Sequence, residues 1–165
     1  MTQRARDTDG GGRAPARVPT PDQKPAPDQL AVKGIGVDLA QITRMRGIVE
    51  RWDERFLRRV FTESEIAYCR RRRDPIPHLA ARFAAKEATL KALGTGLSMG
   101  VSWREMEVRR DPGQAPVMIL HGRCRVLATA KGGDRVLLSL THDGDYALAQ
   151  AMLIAEPAGE SRGRP

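Results

Sequence analysis

The spacing of apolar residues changes along the chain and divides it into strands and helices. Residues 32–39 form a short β-like run, with apolar side chains at alternate positions and glycines between them. Apolar residues at helical spacing follow at Ile42, Met45 and Val49. Thr62-Glu63-Ser64-Glu65 has the form of a capping box, which predicts a second helix from there to the arginines at 70–73.

A third helix has the clearest pattern and is expected to begin after Pro77 and to end at Gly94. Its apolar residues are Leu79, Phe83, Leu90 and Leu93. Beyond it the pattern predicts strands at 106–108, 117–120, 136–140 and 146–154, with a short helix at 123–130. The last two strands are joined across Asp143-Gly144, a typical hairpin sequence. Because helices and antiparallel strands are segregated along the chain, the predicted fold class is α+β.

We expect one folded body at residues 33–156. Residues 1–32 hold five of the eleven prolines and a run of three glycines, which predicts a disordered extension, and 157–165 are expected to be a disordered end. The apolar run at 147–155 is too short to span a bilayer, and no apolar segment follows the charged N-terminus as in a signal peptide. We therefore expect a cytoplasmic protein without membrane contact, with Cys69 and Cys124 as buried small hydrophobes.

The chain carries a net charge of +8, and part of the excess is concentrated. Residues 44–73 hold ten arginines against five acidic residues. This excess predicts nucleic acid, phosphates or an acidic protein as a partner, although a solvated helix face is the simpler interpretation for any single arginine. A nucleic-acid-binding module is the alternative class of function, but the seven aromatic residues offer no evident stacking platform and no DNA-binding motif is recognisable.

One carboxylate falls on the apolar face of the third helix. At about 100° per residue, Glu87 lies about 40° from Phe83. Burying an ionised carboxylate costs several kcal/mol unless a cation compensates it. Lys91, four residues further on, would suit an exposed pair. The inward position instead favours a site for a hard cation or phosphates, with Arg82 and Lys86 along its edge.

Asp38 is a second unusual carboxylate, since acidic residues are poor strand formers. It could cap the helix that follows. It could also join Glu87 in a magnesium site, where two carboxylates and substrate phosphates supply the oxygen ligands. Sequence spacing leaves both interpretations open. The turn Gly94-Thr95-Gly96 matches neither a dinucleotide fingerprint nor a P-loop.

Three segments together resemble the holo-acyl-carrier-protein synthases, the small bacterial type of 4′-phosphopantetheinyl transferase. They are GIGVD at 34–38, RFAAKEATLKALGTG at 82–96 and SLTHD at 139–143. The resemblance implies the fold of that family, an antiparallel sheet packed against a long helix, and a homotrimer with active sites between subunits. It also implies magnesium-dependent transfer of the phosphopantetheine arm of coenzyme A to a serine of an apo acyl carrier protein. Such a transfer leaves adenosine 3′,5′-bisphosphate and serves fatty acid and other lipid biosynthesis.

The resemblance also assigns roles to residues. Asp38 and Glu87 match the metal ligands and Lys91 matches the lysine near the reacting phosphate, so these three are the expected catalytic residues. Four residues match positions that line the coenzyme A pocket: Arg82, Lys86, Gly96 and His142. The helix that docks the acidic carrier protein corresponds to the region of Arg44, Arg51 and Arg55. The general base stays open between water near Glu87 or Asp38 and Lys91 itself.

The chain departs from this family at two places. Many relatives have glutamate where this chain has Gln41, which puts a third carboxylate role in doubt. Gly113-Gln114-Ala115-Pro116 stands where relatives tend to have a Gly-Lys-Pro turn. Neither change affects the expected metal ligands. A third alternative is a scaffold subunit without activity, but the presence of Asp38, Glu87 and Lys91 argues against it.

Overall fold

A computed structural model describes residues 31–155 of the chain, so the predicted disordered ends lie outside the described residues except for 31 and 32, which begin the first strand. The strands and helices in chain order are β1 (Ala31–Gln41), α1 (Ile42–Val60), α2 (Glu63–Arg70), α3 (Ile76–Leu93), β2 (Met106–Arg109), β3 (Val117–Leu120), α4 (Gly122–Ala130), β4 (Arg135–Asp143) and β5 (Tyr146–Ala155). Two single 3₁₀ turns, Leu97–Met99 and Trp103–Glu105, lie between α3 and β2. None of the helices within 31–155 has the length and apolar character needed to cross a bilayer.

The five strands form one antiparallel sheet in the order β1-β5-β4-β3-β2. Helix α3 packs on β1 and β5, which confirms an α+β fold with a sheet against a long helix. The β4–β5 hairpin is also confirmed. Its connecting residues are Gly144 and Asp145, one position later than predicted, because Asp143 still pairs with Tyr146.

Helix α3 is buried on nearly all sides, with 13 of its 18 residues buried. It begins at Ile76, earlier than predicted, because Pro77 fits the first turn, where no backbone N–H is needed. It ends as predicted at Gly94, whose φ of +70° is easily adopted by glycine. Alanines at positions 80, 84, 85, 88 and 92 let the helix lie close to its neighbours, so little of its surface reaches water.

The inner face of β1 carries glycines, and its outer face carries the large apolar residues. A Cβ on Gly36 would lie 2.0 Å from the carbonyl oxygen of Ala88, and one on Gly34 would lie 2.0 Å from that of Ala92. Only glycine permits so close an approach of strand and helix. The side chains between them point outward: Ile35, Val37 and Leu39 are 59%, 55% and 56% exposed.

Local sequence patterns explain the remaining elements. The capping box of α2 is confirmed: Thr62 Oγ1 accepts from the N–H of Glu65, and the N–H of Thr62 donates to Glu65 Oε2 at 2.9 Å. Helix α1 is interrupted at Asp53, whose φ of 35° lies outside the helical range. Cys69 and Cys124 are free and buried as predicted, and burial raises the pKa of their thiols to about 11 and about 12.

Candidate active site

The end of β1 and the middle of α3 line one cavity of about 390 Å³. Asp38 and Glu87 both face it, together with Gln41, Arg44 and Tyr146 among other residues. The close backbone contact of β1 with α3 explains why two carboxylates so far apart in the sequence meet here. The structure therefore brings together the pair that sequence spacing could not join.

Lys91 holds Asp38 rather than Glu87. Its Nζ donates to Asp38 Oδ1 at 2.9 Å and to the carbonyl oxygen of Val37 at 2.8 Å. The ion pair between Glu87 and Lys91 that helical spacing favours is thus replaced by a pair between helix and strand. Asp38 therefore has a cationic partner in Lys91, whereas Glu87 does not share it.

The helix-capping interpretation of Asp38 is wrong. The N-cap residue of α1 is Gln41, and the carboxylate that serves the helix start is Asp145, which accepts from the N–H of Thr43 at 2.8 Å. The side-chain amide of Gln41 donates to the same Asp145 at 2.9 Å. Gln41, which stands where many relatives have glutamate, therefore connects the start of α1 to the β4–β5 turn through Asp145.

Glu87 lies in an environment that is short of positive charge. Burial raises the pKa of Glu87, the negative charge of Asp38 raises it further, and the positive charge of Lys91 opposes both. Oxygen donors with incompletely compensated charge are what magnesium prefers, so these residues fit that ion. No group of three or more potential His, Cys, Asp or Glu ligands occurs between residues 31 and 155, so a metal here would take its other ligands from water or substrate.

Arg82 and His142 line a second cavity, of about 330 Å³. Arg82 is only 4% exposed, its guanidinium lies 4.0 Å from the centre of the Tyr68 ring, and its Nε has no hydrogen-bond partner in the described part of the chain. Burial lowers the pKa of His78 in the same cavity, and the charges of Arg72 and Arg82 lower it further. A buried guanidinium with an unused donor, among other basic groups, suits an anionic ligand.

Lys86 lies elsewhere than the sequence led us to expect. Its side chain is 0% exposed, and its Nζ donates to Glu65 Oε2 at 2.8 Å and to the carbonyl oxygens of Val60 at 2.8 Å and Trp103 at 3.1 Å. Burial lowers the pKa of Lys86, and the charge of Glu65 opposes that effect. This placement gives no support to the expectation that Lys86 contacts coenzyme A, because the ammonium is enclosed by protein acceptors.

The other expected pocket residue, Gly96, lies outside the residues that line the two cavities. It is exposed and precedes the 3₁₀ turn Leu97–Met99. The structure by itself gives it no ligand-facing role.

Tyr68 and Asp145 are residues of interest that the sequence reasoning missed. Burial would raise the pKa of Tyr68, but the hydrogen bond and charge of Arg72 and the charge of Arg82 lower it overall. An aromatic residue just before four arginines was a visible pattern that could have pointed to this site. Asp145 gave no such indication, because its partners are more than 100 residues away in the sequence.

Helix α1 presents the expected docking arginines beside an apolar groove of about 480 Å³. The groove is lined by Ile48, Trp52, Arg55, Phe56 and Arg59. The guanidinium of Arg51 lies 5.5 Å from the centre of the half-exposed Trp52 ring, and Arg44 lines the first cavity. A basic rim around an apolar floor is complementary to an acidic, amphipathic partner.

Two carboxylates in one cavity, one of them paired with a lysine, and a buried arginine in another are typical of a metal-assisted enzyme that acts on phosphates. The sequence model of the 4′-phosphopantetheinyl transferase superfamily matches residues 34–151, and the chain belongs to this family.

Relatives and solved structures agree with this assignment. A holo-[acyl-carrier-protein] synthase from Syntrophotalea carbinolica is 48% identical over 118 residues, which cover 72% of this chain and 92% of that protein. The crystal structure of the synthase from Neisseria meningitidis matches with a TM-score of 0.66 at 31% identity, covering 74% of this chain and 98% of that one. The synthase from Bacillus anthracis, solved in complex with CoA (3′,5′-ADP), matches with a TM-score of 0.62 at 31% identity, covering 76% and 98%.

Proposed function

We propose that the protein is a holo-[acyl-carrier-protein] synthase. It transfers 4′-phosphopantetheine from coenzyme A to a serine of an apo acyl carrier protein and releases adenosine 3′,5′-bisphosphate. The observation that carries the proposal is the cavity that Asp38 and Glu87 line, with Lys91 paired to Asp38, in a chain that belongs to the transferase family. A nucleic-acid-binding module would leave this inward-facing pair of carboxylates without a purpose.

Asp38 and Glu87 are the residues that would hold magnesium. When bound, magnesium would neutralise charge on the diphosphate of coenzyme A and polarise the phosphorus under attack. The raised pKa of Glu87 supports this role, because it shows a carboxylate that lacks a full counter-charge.

The reaction itself is a displacement at phosphorus. The serine Oγ forms a bond to the phosphorus that carries the pantetheine arm, and the bond from that phosphorus to the oxygen of adenosine 3′,5′-bisphosphate breaks. The serine proton passes to water beside Glu87 or Asp38, because Lys91 pairs with Asp38 as an ammonium, which has three donors and no acceptor. Lys91 instead stabilises the negative charge that develops on the phosphate oxygens.

Arg82 and His142 would bind the phosphates of coenzyme A in the second cavity, and Gly96 stays an expected pocket residue on the family resemblance alone. The partnerless Nε of Arg82 supports this assignment. Lys86 is left out of the binding site because its ammonium is enclosed by Glu65 and two carbonyl oxygens.

The outer face of the sheet supports the expected homotrimer. Leu39 of β1 pairs with Leu148 of β5, and Ile35, Val37 and Tyr146 lie on the same face; all five are exposed in the single chain. Large apolar residues exposed together on one face are normally covered by another protein surface. A second copy of the chain there would also place two subunits around one active site.

The carrier protein would dock on α1 through Arg44, Arg51 and Arg55. These residues border the first cavity and the apolar groove, so an acidic helix bound there would bring its serine toward Asp38 and Glu87. Association should weaken as the salt concentration rises, because exposed charges are screened. A place in fatty acid biosynthesis and a cytoplasmic location stay expectations of the resemblance.

The decisive experiment is the intact mass of an apo acyl carrier protein after incubation with the full chain, coenzyme A and magnesium. We expect a gain of one phosphopantetheine unit that is lost with a chelator and with Glu87→Gln. Glu63→Gln, which removes an exposed acid at the start of α2, is the matched control and should retain transfer. A folded sample that modifies none of several carrier proteins would refute the proposal.

A further inference from the structure

We propose that Lys91 is an internal counter-ion of the metal site, which a divalent cation displaces from Asp38 and which then moves to the phosphates of the substrate. This inference rests on the proposed function and deepens it. It starts from the ion pair between Lys91 Nζ and Asp38 Oδ1 at 2.9 Å, which occupies one oxygen of an expected metal ligand.

The two partners of this ion pair differ in their freedom to move. The side chain of Asp38 is 19% exposed, whereas that of Lys91 is 53% exposed. Asp38 extends from a strand that is fixed by close backbone contact with α3, while the lysine has a long, flexible stem that reaches across from α3. Of the two partners, the lysine is the one that can leave without moving the backbone.

The charges around the cavity give a reason for the exchange. Asp38, Glu87 and Arg44 line it, and Lys91 pairs with Asp38, so Glu87 has no ion-pair partner within 4 Å among the described residues. A divalent cation balances both carboxylates by itself, and it repels an ammonium that shares an oxygen with it. The displaced ammonium is then beside a cavity that receives a diphosphate, which is a favourable new partner.

This arrangement has two consequences. The lysine keeps Asp38 compensated when no metal is bound, and it lowers the affinity of the empty enzyme for divalent cations. Coenzyme A offers the lysine an alternative partner, so metal and coenzyme A should strengthen each other's binding.

The first test measures Mn²⁺ binding by the electron paramagnetic resonance signal of the free ion, without coenzyme A. Lys91→Met should bind Mn²⁺ about fivefold more tightly than the unmodified protein, although it transfers phosphopantetheine poorly. Lys33→Met removes the same charge from the exposed part of β1 and should leave Mn²⁺ binding unchanged. The double variant Lys91→Met/Glu87→Gln should lose the tight binding, which ties it to this cavity.

Equal or weaker Mn²⁺ binding by a folded Lys91→Met variant would overturn the exchange. If the unmodified protein still transferred phosphopantetheine, the proposed function would stand. Tighter binding by Lys91→Met without any transfer by the unmodified protein would instead support the counter-ion and refute the enzyme assignment.

A second measurement uses the unmodified protein and does not depend on a variant that folds. The ammonium of Lys91 should become more reactive toward an amine-acylating reagent when magnesium is added without coenzyme A, as measured by peptide mass spectrometry. The reactivity of Lys33 should not change. Unaltered acylation of Lys91 at saturating magnesium would contradict displacement.

Discussion

The buried ion pair between Lys86 and Glu65 gives the sharpest prediction for stability. Both side chains are 0% exposed, and the ammonium also serves the carbonyl oxygens of Val60 and Trp103. Lys86→Met would leave a buried carboxylate without its cation and two carbonyl groups without a donor. Breaking such a pair costs about 3–5 kcal/mol, which is a large part of the roughly 5–15 kcal/mol that stabilises a typical domain.

This cost should be visible as a large drop in Tm. For a folded body of about 125 residues, the entropy of unfolding is roughly 0.26 kcal/mol per kelvin. A loss of about 4 kcal/mol then lowers Tm by about 15 °C. Thermal and urea unfolding followed by circular dichroism would measure both quantities. Lys131→Met is the matched control. Lys131 donates to the carbonyl oxygen of Ala92 at the helix end, and losing this one hydrogen bond should cost about 1 kcal/mol or less.

A double-mutant cycle would assign the loss to the pair. Glu65→Gln/Lys86→Met removes both charges of the buried pair, so it should be more stable than the sum of the single losses predicts, by at least about 1 kcal/mol. A loss below about 1 kcal/mol for Lys86→Met alone, with cooperative unfolding, would refute the reasoning that this buried charge needs its partner.

Four further predictions concern the site and the surfaces. In the absence of metal, Glu87→Gln should raise the free energy of unfolding near neutral pH, because the raised pKa of Glu87 means that its ionised form destabilises the fold. After discounting for solvent screening, the expected gain is about a few tenths of a kcal/mol. Urea unfolding should show that the gain vanishes below the ordinary pKa of glutamate, and a destabilised variant would contradict the prediction. Arg44→Glu should raise the KM for carrier protein severalfold and spare that for coenzyme A, whereas Arg123→Glu on α4 should change neither; an unchanged KM would remove α1 from the docking surface. Gly36→Ala should prevent stable folding or shift β1 away from α3, as shown by circular dichroism and loss of transfer, because its Cβ would meet a backbone oxygen at 2.0 Å. If the expected trimer forms through this face, Val37→Asp should shift light scattering to smaller species, and an unaltered oligomer would exclude the face.

Many of the elements were predictable because short sequence motifs determine where they begin and end. The capping box at Thr62 and Glu65, the helix stop at Gly94 and the hairpin near Gly144 all depend on residues within a few positions of each other. Such patterns depend on local interactions, so they can be read without knowing the tertiary contacts.

The site was only partly predictable, because its decisive contacts are long-range. Helical spacing predicted an ion pair between Lys91 and Glu87, but Lys91 pairs with Asp38, 53 positions away in the sequence. Lys86 and Glu87 are neighbours in the sequence, yet one is enclosed by Glu65 and the other lines the cavity. The helical projection placed the apolar stripe correctly but could not show that α3 is covered on nearly every side, which leaves no solvent for Lys86 to reach.

The interruption of α1 at Asp53 could not be predicted from the sequence pattern either. Asp53 adopts φ 35° and ψ −125° in a segment whose sequence reads as one helix. Local helix propensity gives no signal for a break at this position, so the sequence pattern could not predict it.

The glycines of β1 have a consequence for the evolution of the site. Where strand and helix touch through main-chain atoms, at Gly36 with Ala88 and at Gly34 with Ala92, no rotamer exists that could adjust the spacing. The separation between the elements that carry Asp38 and Glu87 is therefore set by direct contact between main-chain atoms, and not by the volumes of core side chains. Substitutions elsewhere in the core can accumulate without altering this spacing, so sequence drift can be wide while the catalytic geometry remains the same.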